Sequence, residues 1–131
     1  MLSRMKSKAA YIVIAHGSRE KKANTAFQSF VRKFQKTVPK RKVYGAFLEL
    51  AVPSIPQALE RALGSGCREI FILPLMFFPG RHVKQDIPRL FEKAKADYPD
   101  ADFHYAGALA DHPMLPKLLA EKAVSLKPKK R

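Results

Sequence analysis

The sequence holds 131 residues, 47% of them apolar, with one cysteine and a formal net charge of +14. That length and composition specify one domain with one core and exclude a disordered chain. The longest apolar run, Ile70 to Pro79, falls short of the roughly 20 residues that a membrane span needs.

The first apolar segment, Tyr11 to Ala15, is rich in β-branched residues, as a parallel strand covered on both faces would be. His16-Gly17-Ser18 then turns the chain into a helix whose stripe is Phe27, Phe30, Val31, Phe34 and Val38, stopped by Pro39. A second strand is expected over Lys42 to Leu50. Ser54 opens the next helix with Gln57 as its capping-box partner, Ile55, Leu59, Ala62 and Leu63 face the sheet, and Gly64-Ser65-Gly66 closes the helix. The segment EIFILPLMFF reads as a third strand. Pro79-Gly80 leads from it to a helix carrying Val83, Ile87, Leu90, Phe91 and Ala94, with Pro88 in its first turn. ADFHYAGAL supplies a fourth strand and Pro113 to Leu126 a last helix. Four strands alternating with four helices through right-handed crossovers predict a flavodoxin-like α/β domain: a three-layer sandwich around a four-stranded parallel sheet. The expected division is a basic extension over 1–9, one domain over 10–126 and a basic tail over 127–131.

The charge divides accordingly. Arg4, Lys6 and Lys8 are expected before the first strand, and Lys127, Lys129, Lys130 and Arg131 end the chain. The rest carries 18 cations against 11 anions, and nine of those cations fall between Arg19 and Lys42 beside the lone acid Glu20. Such a field concentrates anionic partners, nucleic acid or a polycarboxylate alike. The basic start MLSRMKSKAA lacks the apolar core and cleavage site of a secretory signal. A single Cys67 leaves no internal disulfide and fits a reducing cytoplasm; as a small hydrophobe just before a strand, it reads as core.

In a sheet of this kind the strand-to-helix loops share one edge, where ligands bind. The first loop brings His16, Ser18 and Arg19, the second Glu49, and the third, MFFPGRHVKQDIP, brings Arg81 and His82. Two imidazoles and a carboxylate suit a borderline divalent metal such as cobalt, nickel, iron or zinc, and leave coordination positions open. Each residue taken singly has a structural reading. His16 serves equally as a cap or core residue, Glu49 as the ion-pair partner of a lysine, and His82 as the opening residue of its helix. Asp86 reads as a helix cap or a partner of Arg81, His104 as a strand residue and His112 as a cap. It is the convergence of three loops that argues for a site. Nucleotide cradles lack their glycines, since neither G-x-x-x-x-G-K-[ST] nor G-x-G-x-x-G occurs. A histidine phosphatase would carry arginine where Ala15 stands, and no G-x-S-x-G elbow is present. Ser18 reads as a turn residue with a secondary contact to ligand.

Together, IVIAHGSRE, FLELAVPSIPQAL and LPLMFFPGRHVKQDIP resemble the small single-domain sirohydrochlorin chelatases, the short CbiX-type cobaltochelatases among the class II chelatases, over Tyr11 to Leu119. Pro79 and the two basic tails depart from the usual pattern without removing a motif residue, and the His-rich tail of some relatives is absent. The resemblance implies insertion of Co2+ into sirohydrochlorin with release of two protons, in anaerobic cobalamin synthesis, by a lyase with no permanently bound cofactor. Nickel and iron chelatases share the motifs. It further implies that His16 and His82 bind the metal, with His16 as proton acceptor. Glu49 would face the tetrapyrrole, and Met76, Phe77, Phe78, Pro79, Gly80 and Arg81 would line its cavity, Arg81 holding a carboxylate arm through its fork. Phe77 and Phe78 offer apolar surface to the macrocycle, one of them pointing into the sheet. The implied partners are the tetrapyrrole, the metal and a second copy of the chain, with no nucleic acid and no membrane. The eight carboxylates of sirohydrochlorin match the cationic body, and neutral imidazole serves as a base near neutral pH. A metal carrier using the same histidines and a basic polyanion-binding module are the readings from other classes.

Overall fold

In the computed structural model, which describes residues 8–126, the four strands form one parallel sheet in the order β2-β1-β3-β4: β1 (Lys8–Ala15), β2 (Lys42–Phe47), β3 (Cys67–Pro74) and β4 (Asp102–Tyr105). The helices are α1 (Lys21–Thr37), α2 (Ile55–Gly64), α3 (Ile87–Asp97) and α4 (Met114–Ser125). A π-helical turn, His82–Asp86, precedes α3, and a 3-10 turn, Leu109–Asp111, precedes α4. The predicted three-layer α/β sandwich is therefore present. None of the helices among the described residues is long and apolar enough to cross a membrane.

Alternation along the strands sorts side chains to two faces. Ala10, Ile12 and Ile14 of β1 join Ile70 and Ile72 of β3 against Ile55, Leu59, Ala62 and Leu63 of α2 and Ile87 and Phe91 of α3. Val13 and Phe47 pack on the opposite face against Phe27 of α1. Ser54 caps α2 with the expected reciprocal bonds to Gln57, and Cys67 is wholly buried at the start of β3. No polar or charged side chain is buried among the described residues.

Several boundaries differ from the sequence expectation. Lys8 belongs to β1 instead of preceding it, because its backbone still pairs with Cys67. The remaining tail cations lie outside the described residues. β2 ends at Phe47, three residues early, where the chain turns through bends and Leu50 adopts a left-handed φ of 67°. β3 ends at Pro74, where its pairing with β1 stops at Ile14, two residues past its last partner in β4. The fourth strand is likewise only four residues long. Phe30 is exposed on the flank of α1, and both Phe77 and Phe78 are exposed, so neither points into the sheet. The last helix buries nothing: Met114, Leu118, Leu119 and Val124 of α4 all face outward.

Candidate functional site

The site is built by hydrogen bonds that continue the sheet past its strands. Leu48 N–H donates to Ala15 O (2.9 Å), Glu49 N–H to His16 O (3.0 Å) and Leu75 N–H to Ile14 O (2.7 Å). The exits of β1, β2 and β3 are thereby tied together. Gly17 makes this approach possible. Its φ is +98°, and a Cβ there would sit 1.8 Å from the carbonyl oxygen of Glu49. Only glycine leaves the two loops room to touch.

Ser18 fixes the next turn. Its hydroxyl accepts from Glu20 N–H (3.0 Å), its backbone N–H donates to Asn24 Oδ1 (3.0 Å), and Asn24 Nδ2 donates to its carbonyl (2.7 Å). Arg19 is exposed beside it. A fourth loop braces the third: Leu109 N–H donates to Met76 O (2.9 Å) and Ala110 N–H to Phe77 O (2.7 Å). Met76 packs against the core, whereas Phe77, Phe78, Pro79, Gly80 and Arg81 are exposed.

On this frame the side chains of His16, Glu49 and His82 converge. Glu49 Oε2 lies 2.7 Å from His16 Nε2. The His16 and His82 rings stand edge to face, with centroids 4.8 Å apart. His82 Nδ1 in turn lies 2.7 Å from Asp86 Oδ2. The side chains of His16, Glu49 and His82 are 50%, 53% and 41% exposed, so the cluster is open to a ligand from solution. An ionised carboxylate only accepts hydrogen bonds. A neutral imidazole in each place donates one N–H to its carboxylate and keeps the other nitrogen's lone pair, Nδ1 on His16 and Nε2 on His82. Two lone pairs beside a carboxylate form a nitrogen and oxygen donor set of the kind that divalent transition ions take. Among the described residues, no group of three or more His, Cys, Asp or Glu side chains is placed to hold a metal ion; Glu49 is engaged with His16 instead.

Asp86 corrects the sequence expectation. It neither caps α3 with its side chain nor pairs with Arg81, but holds His82. The usable signal was the spacing of four residues in HVKQD, which puts both side chains on one side of a helical turn. Glu49 likewise pairs with a histidine and, among the described residues, with no lysine. His112 Nδ1 accepts from Met114 N–H (3.0 Å) at the start of α4, the capping role expected of it. His104 lies away from the cluster, stacked on Phe71 with centroids 4.6 Å apart.

The model of the family described as CbiX matches residues 10–126. The chain is 32% identical over 104 residues to the chloroplastic sirohydrochlorin ferrochelatase of Arabidopsis thaliana, covering 79% of this chain and 46% of that protein. It is 34% identical over 87 residues to the sirohydrochlorin cobaltochelatase of Sulfurisphaera tokodaii, covering 64% of this chain and 68% of that one. The crystal structure of the sirohydrochlorin chelatase SirB from Bacillus subtilis subspecies spizizenii in complex with cobalt superposes with a TM-score of 0.82 at 27% identity, over 91% of this chain and 51% of that one. The chain spans less than half the length of several curated relatives that it matches.

Proposed function

We propose, from the premise that this chain belongs to the CbiX family, that it inserts a divalent metal into sirohydrochlorin, with Co2+ as the metal. The observation that carries the reading is the meeting of His16, Glu49 and His82 at one open mouth, with the two imidazoles 4.8 Å apart. The metal is a substrate. The free nitrogens of His16 and His82 receive it, and Glu49 turns from His16 to complete the donor set. Few protein ligands hold the ion, so it can be passed to the four tetrapyrrole nitrogens without a deep trap. Two pyrrole N–H protons leave as the metal enters, so charge balances: one M2+ enters and two H+ depart. Once the ion has left, His16 accepts a proton on the released lone pair and Glu49 returns to it, stabilising the imidazolium. The exposed rings of Phe77 and Phe78 offer apolar surface to the macrocycle, and Arg81, which forms no ion pair among the described residues, binds one of its carboxylates. Met76, Pro79 and Gly80 complete that wall, while Ser18 and Arg19 border the mouth from the first loop.

Fe2+ is the second reading, favoured by the resemblance to the Arabidopsis ferrochelatase. The test is anaerobic absorbance of sirohydrochlorin with Co2+, Fe2+ or Ni2+, using wild type, His16→Ala and an enzyme-free control. Faster spectral conversion that disappears in the variant is the expected result, and the relative rates rank the metals. No acceleration with any metal overturns the reading.

The working unit in this proposal is a pair of chains in the cytoplasm. Support comes from α4, whose Met114, Leu118, Leu119 and Val124 are 54% to 85% exposed. The 3-10 turn before it is tied to the third loop by the bonds from Leu109 and Ala110, and the apolar residues of α4 are left free to meet a second copy.

A further inference from the structure

Asp86 is the one carboxylate at the mouth for which neither the motifs nor the chelatase reading supplies a role. It closes the π-helical turn that begins at His82, where Ile87 N–H bonds back five residues to His82 O. Such wide turns recur at functional sites. Arg81, Lys84 and Arg89 all lie within five residues of Asp86, yet its hydrogen bond is with the imidazole of His82, at 2.7 Å. Its side chain makes no capping bond to α3 either. At 31% exposure, it is the least exposed of the four polar side chains of the cluster. It takes the Nδ1 side of His82 and leaves Nε2 without a hydrogen bond among the described residues.

We infer that Asp86 is the positioning residue for His82: by accepting the Nδ1 hydrogen it fixes both the ring and the tautomer, so that the Nε2 lone pair is presented toward His16 and an incoming divalent ion. This rests on the reading of His82 as a metal ligand. Without the carboxylate, the imidazole would rotate and sample both tautomers, and only one of these offers Nε2 as a donor. Asp86 itself touches no metal. A carboxylate that merely braced the helical turn would leave the tautomer of His82 and its metal affinity unaltered.

The experiment combines two measurements on Asp86→Ala at one pH near 8, where imidazole is neutral. Long-range 1H–15N spectra of the metal-free protein report the tautomer. The sequence has four histidines, and the His82 signal is identified by its loss in His82→Ala. Calorimetric titration with Co2+ reports the affinity. Expected are a wild-type His82 spectrum of the Nδ1–H form, a mixed-tautomer spectrum in Asp86→Ala, and a fall in Co2+ affinity of about 10- to 100-fold. An unchanged tautomer in Asp86→Ala overturns the inference, whatever the affinity does. Unchanged affinity in Asp86→Ala overturns it too, provided His82→Ala binds Co2+ more weakly. If His82→Ala binds Co2+ as wild type does, the metal-ligand reading beneath the inference has failed instead, and the inference falls with it. Should Asp86→Ala not fold, the isosteric Asp86→Asn replaces it. That variant is expected to weaken Co2+ binding by several-fold, and wild-type affinity would overturn the inference.

Discussion

Replacing Gly17 with alanine should separate the two loops that carry His16 and Glu49. The new Cβ would start 1.8 Å from the Glu49 carbonyl oxygen, whereas such contacts essentially never fall below 3.0 Å, so about 1.2 Å of movement is required. The clash is with backbone, so no side chain can swing aside to absorb it. A shift of that size stretches the Glu49 N–H to His16 O bond from 3.0 Å and the Leu48 N–H to Ala15 O bond from 2.9 Å beyond hydrogen-bonding range. Two lost bonds cost about 2 kcal/mol, and holding alanine at φ +98° adds roughly 1–2 kcal/mol. The sum, about 3 to 4 kcal/mol, is a large part of the roughly 5–15 kcal/mol that keeps a domain folded. In urea, with a slope near 2 kcal/mol/M, the midpoint should fall by about 1.5 to 2 M. Gly64→Ala is the internal control. It sits at the end of α2 with nothing within 4 Å of the added carbon, and it should be neutral or stabilising by up to about 1 kcal/mol. Co2+ binding should weaken only in Gly17→Ala. A loss below about 1 kcal/mol in that variant, with Co2+ binding intact, would refute the close approach as the device that assembles the site.

His82→Ala should bind Co2+ more weakly while its thermal unfolding stays cooperative, because the ring is 41% exposed and its removal opens no cavity in the core; broadened unfolding would mark His82 as a structural residue. Tyr105→Phe removes the hydrogen bond from its hydroxyl to Val83 O (2.6 Å) and should cost about 1 kcal/mol at neutral pH by urea titration. Burial raises the phenol's pKa above its ordinary 10.0, so the unfolded chain ionises first. Stability from this group is complete below pH 10 and is lost as pH rises through the folded-state value. A plot of melting temperature against pH should therefore fall less steeply above pH 10 in Tyr105→Phe, and parallel curves would contradict this. Leu118→Asp on α4 should shift the protein from dimer to monomer in light scattering, and a wild type that is already monomeric at micromolar concentration would remove the proposed pairing.

What the sequence made legible follows from periodicity. The buried stripes of α2 and α3 and the alternation in β1 identify themselves because core packing imposes their spacing. The shared edge of the three loops follows from parallel topology, so His16, Glu49 and His82 are brought together before any coordinate is known. Apolar character alone misled where surface and core look alike. Phe77 and Phe78 extend the hydrophobic run of β3 but lie on the open loop, and Leu50 continues that of β2 but turns left-handed. The last helix forms where it was expected, yet its apolar residues stay outside the core. Asp86 was hidden because a carboxylate ahead of a helix has the more frequent role of a cap.

The wide turn over His82–Asp86 makes the meeting of His82 with Asp86 depend on a residue count. A π-helical turn holds one residue more than the α-helical turn it replaces. Deleting any one of Val83, Lys84 or Gln85 would let the segment close as ordinary α-helix, continuous with α3. Ile87 N–H would still bond back to His82 O, now four residues away, so His82 would keep its direction relative to α3, while Asp86 would stand three residues from it in place of four, with every chemical group of the mouth still present in the chain. Chain length in this short stretch is thus as much a determinant of the His82–Asp86 contact as the identity of its side chains, and a single-codon deletion there would shift the brace while leaving the imidazole in place.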